Sequence, residues 1–304
     1  TDGISNLGHE IAFFPLFEAQ QNEINNDNYN IPDEILKAIN NEELTLKLDN
    51  YINESSNKTD YVIFWHNTDA CCHFIDILSM IKENTNTKII QINWDPNNNF
   101  KESTLKIFRY FDFIFSVNPK LVNYLRNEHN YNTAYHFNQT YSDDFSVRRK
   151  NMKYNCDVSI LITNLYLDDI WKNKKICRKK LIDNIYNYPY INLHIYGPEF
   201  LNDLYPKSYR GFISYQDSNL VFSNSTINLN ISPVGDTLTD VIDDNICYYY
   251  SERLPQILSC KGLTICDQDF GDFLIPDKDY ILINDETDIV NLILDIKNDK
   301  KKYD

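Results

Sequence analysis

The chain has 304 residues, with 29 Lys and Arg against 44 Asp and Glu and a formal net charge of -15. That acidity argues against nucleic acid as a partner, because phosphate binding needs a basic field. With 42% hydrophobic residues, 22 Tyr and 17 Phe, a disordered chain is excluded.

No run approaches the roughly 18 apolar residues of a membrane span, and no basic, apolar start reads as a signal peptide. The 7 Cys are scattered apart from Cys71-Cys72, with no CxxC and no zinc spacing. They read as reduced thiols of a cytoplasmic protein. Asn is the commonest residue, and sequons such as those at Asn53, Asn57, Asn138 and Asn224 follow from that composition. They say nothing about secretion.

In chain order, the opening around Gly8 reads as a helix end, a stop and a strand over Glu10–Phe14. The first strand of a Rossmann-like domain is therefore expected upstream of Thr1 or missing, and the chain reads as a piece of a longer polypeptide with further domains. Further strands are expected at Tyr61–Trp65, Lys88–Trp94, Phe111–Val117 and Thr133–Phe137. After residue 145 they are expected at Asp157–Thr163, Ile191–Gly197, Gly211–Tyr215, Thr226–Ser232, Leu263–Asp267 and Tyr280–Asn284. Several are continuous apolar runs, as in strands covered on both faces. Helices are expected at Ala70–Lys82, Ser103–Tyr110, Lys120–Asn127, Ile176–Ile185, Ser251–Ser259 and Thr287–Lys297.

This alternation predicts an α/β protein of two Rossmann-like domains whose parallel sheets face a cleft. The boundary is set by charge. Residues 1–145 carry 10 basic and 21 acidic side chains, whereas residues 146–304 carry 19 and 23. The expected domains are 1–145 and 146–304.

Ligands of parallel α/β domains sit at the carboxyl ends of strands. No GxGxxG, GxxxxGK[ST], HExxH or GxSxG is present, so dehydrogenase, P-loop, zincin and α/β-hydrolase readings lack their defining residues. Asp267-Gln268-Asp269 spells DxD but reads as turn chemistry.

The second half carries an ordered series. It runs through Asp157–Ile162, Ile195-Tyr196-Gly197, Tyr209–Tyr215 and Val221–Ser232, and ends with Ser251-Glu252-Arg253-Leu254-Pro255-Gln256-Ile257-Leu258-Ser259-Cys260-Lys261-Gly262. In order and spacing it resembles the nucleotide-sugar domain of GT-B glycosyltransferases, specifically the spore-maturation-type group of the family-1-like transferases. The resemblance covers about residues 155–295.

It implies a donor site of Gly197, Gly211, Phe212, Ile213, Asn230, Ser251, Glu252, Arg253 and Gln256. Ser251 reads as the N-cap of a helix whose positive end, with Arg253, would hold a diphosphate. Gly211-Phe212-Ile213 matches the loop that sandwiches the base, with a plain strand start as the alternative. Gln256 stands where relatives carry a ribose-binding Glu, and Tyr248 stands where retaining relatives carry another Glu. Thr163-Asn164 replaces the usual Gly after the first strand. Arg178 matches a common family Arg, although its Lys-rich surroundings favour a solvated helix charge.

On the acceptor side, His66, Asp69 and Asp95 follow expected strand ends and are the candidates for a general base. Each has a structural alternative: a satisfied His, a helix cap and a turn residue. The expected activity is transfer of a sugar from a nucleotide diphosphate-sugar (UDP or GDP) to a hydroxyl acceptor, a glycan or glycoconjugate. No metal and no other cofactor is expected. The alternatives are a non-catalytic nucleotide-sugar-binding module and a sugar-nucleotide epimerase of the same fold.

Overall fold

The computed structural model of the protein describes residues 60–65, 75–93, 106–138, 140, 145, 148–163, 165, 176–231, 251–270 and 274–299. The expected strand Glu10–Phe14 and the question of a strand before it lie outside these residues. Compact packing divides the chain into residues 1–92 with 101–114 and residues 93–100 with 115–304.

The first sheet has the order β1-β2-β3-β4, built from Tyr61–Trp65, Lys88–Asn93, Phe113–Ser116 and Ala134–His136. β1 pairs parallel with β2 in the register Val62↔Ile89 and Phe64↔Gln91. Helix α1 spans Ile75–Asn84 and α2 spans Pro119–His129. Local chemistry fixes α2. The Asn118 side chain accepts from the Lys120 and Leu121 N–H groups, Pro119 fills the first turn, and Asn130 ends the helix at a φ of 59°. Ser103–Tyr110, expected as a helix, shows only a 3-10 turn at Phe108–Tyr110 among its described residues.

The second sheet is β6-β5-β7-β8-β9 and every pairing in it is parallel. Its strands are β5 Cys156–Leu161, β6 Leu193–Tyr196, β7 Ser225–Asn230, β8 Thr264–Cys266 and β9 Ile281–Leu282. Its helices are α3 Arg178–Tyr186, α4 Phe200–Leu204, α5 Tyr215–Asn224, α6 Arg253–Ser259 and α7 Ile289–Asn298.

Register gives this sheet two unlike faces. Val158, Leu193 and Ile227 align on one, as do Ile160, Ile195 and Leu229, and α3 and α7 close this apolar core with Leu181, Ile185, Ile293 and Ile296. The opposite face aligns Ser159, His194 and Asn228, then Thr264, all buried. Buried polar groups need partners. Ser159 Oγ donates to Asn228 Oδ1 at 2.8 Å, and Thr264 Oγ1 donates to the Asn228 carbonyl at 3.0 Å. On the edge strand, burial and the Arg210 charge push the His194 imidazole down to about 4, so it is neutral beside the Tyr196 hydroxyl at 3.4 Å.

The strand expected at Gly211–Tyr215 is not formed. Residues 211–214 are loop, and α5 begins at Tyr215 because Ser214 Oγ accepts from the Asp217 N–H at 3.1 Å and donates to its carboxylate at 2.9 Å. That reciprocal cap favours helix over strand.

Candidate functional site

The chain leaves β5 for β6 on one side and then crosses to β7 on the other. The carboxyl ends of β5 and β7 therefore flank a topological switch point, the place where open parallel sheets take ligands. Two arginines reach it. The Arg253 guanidinium donates to the carbonyl of Leu161, the last residue of β5. The Arg178 guanidinium donates to the carbonyl of Ile231, the residue after β7. Arg178 is only 2% exposed, so the solvated helix charge expected from its Lys-rich neighbourhood is corrected. A strand-end carbonyl in need of a donor explains it, and the sequence holds no sign of that carbonyl's position.

Asn230, the last residue of β7, is 3% exposed and accepts from Ser251 Oγ at 3.0 Å. Its Nδ2 faces the Cys266 thiol at 3.9 Å, and burial pushes that thiol up to about 12. Ser251 was expected to cap α6, but its hydroxyl is spent on Asn230. Glu252 occupies the cap position without a side-chain cap bond, and α6 has seven residues. Glu252 reaches solvent, yet the protein around it raises its carboxyl above the ordinary value while the Arg253 charge pulls the other way. Gln256 lies one turn beyond Arg253. It is 2% exposed, and its Nε2 has no hydrogen-bond partner.

A second group gathers at the end of β6. The Gly197 N–H donates to the Gly211 carbonyl at 3.1 Å, and Tyr209 donates to the Gly197 carbonyl at 3.2 Å. A Cβ on Gly197 would lie 2.0 Å from the Ile162 carbonyl oxygen, so close backbone approach demands glycine there. Gly211 has φ +86° and open space around it. Next to it, Phe212 is 81% exposed and Ile213 half-buried. An aromatic ring held out in solvent beside a strand end does no packing work; it is available to stack.

The nine residues expected to hold the donor thus form two groups, Gly197 with Gly211, Phe212 and Ile213, and Asn230 with Ser251, Glu252, Arg253 and Gln256. They sit at the ends of neighbouring strands, since Leu161 aligns with Tyr196. His66, Asp69 and Asp95 lie outside the described residues. At the DxD sequence, Asp269 accepts from the Tyr280 hydroxyl at 3.4 Å. Among the described residues, no group of three His, Cys, Asp or Glu side chains could hold a metal ion. Nor is any described helix long and apolar enough to cross a membrane.

Residues 177–303 match the glycosyl transferase-like family. The match takes in all nine of these residues and supports a glycosyltransferase. Two solved structures are similar in fold. One is a glycosyltransferase from Rickettsia africae ESF-5, at TM-score 0.54 and 12% identity, covering 91% of this chain and 76% of that one. The other is accessory secretory protein 1, 2 and 3 of Streptococcus pneumoniae, at TM-score 0.50 and 10% identity, covering 86% of this chain. This chain spans about half the length of that second protein, 51%. At such identities the likeness is one of fold, an α/β protein with two parallel sheets as in GT-B glycosyltransferases. A search of curated proteins returned no match.

Proposed function

We propose that this chain transfers a sugar from a nucleotide diphosphate-sugar, UDP- or GDP-linked, to a hydroxyl of a glycan or glycoconjugate in the cytoplasm, as a spore-maturation-type GT-B enzyme. The observation that carries the reading is Arg253 at the β5/β7 switch point, inside the stretch that matches the glycosyl transferase-like family.

The acceptor oxygen attacks the anomeric carbon, and the bond from that carbon to the diphosphate breaks with its electron pair on the leaving group. Arg253, joined by Arg178, meets that developing charge, so the reading needs no divalent ion. Gln256 offers its unpartnered Nε2 to a ribose oxygen, and Phe212 stacks on the base with Gly211 and Ile213 beside it. One of His66, Asp69 and Asp95 takes the acceptor proton.

A specific observation favours a second reading, a non-catalytic nucleotide-sugar-binding module. Gln256 and Tyr248 stand where relatives carry Glu, and a neutral amide holds a ribose more weakly than a carboxylate. A thermal-shift panel of UDP-, GDP-, dTDP- and CMP-sugars, followed by release of nucleoside diphosphate from each donor that binds, separates the two. Binding with turnover supports the transferase, binding without turnover supports the module, and no binding rejects both.

A further inference from the structure

Helix α6 carries both Arg253 and Gln256 and is poorly held by its own sequence. It has seven residues and no side-chain cap, and it follows β7 only after residues 231–252 of the sequence. Yet the Ser251 hydroxyl reaches back twenty-one positions to Asn230 Oδ1. Asn230 is in turn fixed in the sheet. It ends β7, it is buried, and its register partner on β8 is Cys266, whose thiol also lies 3.8 Å from Thr264 Oγ1. The bond therefore joins the rigid end of β7 to the turn from which α6 starts. The Ser251 carbonyl completes the junction by accepting from the Leu254 N–H at 3.0 Å.

We infer that Asn230 and Ser251 are positioning residues, a latch that sets where α6 presents Arg253 to a nucleoside diphosphate rather than two groups that touch the ligand. The inference rests on the nucleotide-binding reading above. Three features carry it. The Ser251 hydroxyl and the Asn230 carbonyl oxygen are committed to each other. Asn230 is almost wholly enclosed. Arg253, two residues beyond Ser251, has its own bond to Leu161 on the neighbouring strand, so α6 is pinned at β7 through Ser251 and at β5 through Arg253.

The test measures UDP and GDP affinity of the full chain by titration calorimetry. Ser251→Ala is expected to weaken binding about tenfold, the worth of one lost hydrogen bond. Asn230→Ala should lose as much, and the double variant no more than either single one. Ser251→Thr, which keeps the hydroxyl, should bind as the parent does. In an Arg253→Ala background, Ser251→Ala should change affinity by less than twofold, because the latch acts through Arg253. Should Asn230→Ala fail to fold, the Ser251 series alone decides.

Affinity unchanged in Ser251→Ala, a tenfold loss that persists without Arg253, or a failure of Ser251→Thr to restore binding overturns the latch. Absence of UDP and GDP binding by the parent overturns the nucleotide reading itself, and the latch with it.

Discussion

The Arg253 guanidinium donates to the Leu161 carbonyl, bringing together two residues ninety-two positions apart. This contact sets the start of α6 against the end of β5, at the switch point of the second sheet. If the same guanidinium grips a diphosphate, Arg253→Ala should weaken nucleoside diphosphate binding by about 1.5–3 kcal/mol, the range of charge-assisted hydrogen bonds. The free nucleoside should bind almost as before. Calorimetry with UDP and uridine, or GDP and guanosine, checks this, and equal losses would make Arg253 purely structural.

Gly197 lies on the same edge, where β6 ends against the backbone after β5. An added methyl at 2.0 Å from the Ile162 carbonyl oxygen and 2.8 Å from Leu201 Cδ1 has no room, and one of its neighbours is backbone that cannot swing aside. Gly197→Ala should destabilise the chain by about 3 kcal/mol or leave it unfolded. Urea unfolding measures the loss. A change below about 0.5 kcal/mol would contradict the described packing.

His194 gives the fold a pH dependence. Burial, helped by the Arg210 charge, lowers its imidazole from 6.5 to about 4. The unfolded chain therefore takes up a proton near pH 6.5 that the folded chain refuses until about pH 4. Stability from this group is complete above pH 6.5 and falls as pH drops through that window, by up to about 3 kcal/mol. Carboxylates also titrate there, so the informative quantity is a difference. Urea midpoints of the parent should fall more steeply between pH 7 and 5 than those of His194→Gln, and parallel slopes would remove His194 as the cause.

If the proposed transfer inverts, it needs a base. His66→Ala, Asp69→Asn and Asp95→Asn should leave donor binding intact, while one of them lowers turnover by about 10²–10⁴-fold. Nucleoside diphosphate release by each variant reads this directly. His66 ranks first because a neutral imidazole is a competent base near pH 7, whereas an exposed carboxylate is a weak one. Full turnover with all three changed would place the base elsewhere or make the mechanism retaining.

Much of the second sheet is legible in the sequence because its strands are covered on both faces. The apolar run around Val158-Ser159-Ile160-Leu161 and the alternation of Thr226-Ile227-Asn228-Leu229 locate β5 and β7 to within a residue or two. Helix α5 is illegible for the converse reason. Its buried face includes Ser218, Asn219 and Ser223, so no apolar stripe marks it, and the aromatic text before it imitates a strand. The site divides in the same way. The spacing of Arg253 and Gln256 puts them one turn apart on any helix, a local fact. That Arg178 is buried, or that Ser251 serves Asn230 and not the helix, depends on carbonyls and amides that arrive from other strands. Only the assembled sheet shows them.

Phe212 separates binding from stability more cleanly than any other donor-side residue. It is 81% exposed, and the space around the neighbouring Gly211 is open. Truncating a solvent-exposed ring costs little folding free energy, so Phe212→Ala should leave the urea midpoint unchanged within about 0.5 kcal/mol. If the ring stacks on the base, the same change should weaken nucleoside and nucleoside diphosphate by equal amounts, about 0.5–1.5 kcal/mol, because stacking acts before any phosphate is present. That equality is the opposite of the pattern expected for Arg253→Ala, so the two variants together divide the site into a base end and a phosphate end. Measured side by side with uridine, UDP, guanosine and GDP, they form a four-ligand comparison in which each variant controls for the other. Loss of diphosphate affinity alone in Phe212→Ala would move the ring away from the base. No loss at all would leave Gly211-Phe212-Ile213 as a turn into α5, shaped by the Ser214 cap and not by a ligand.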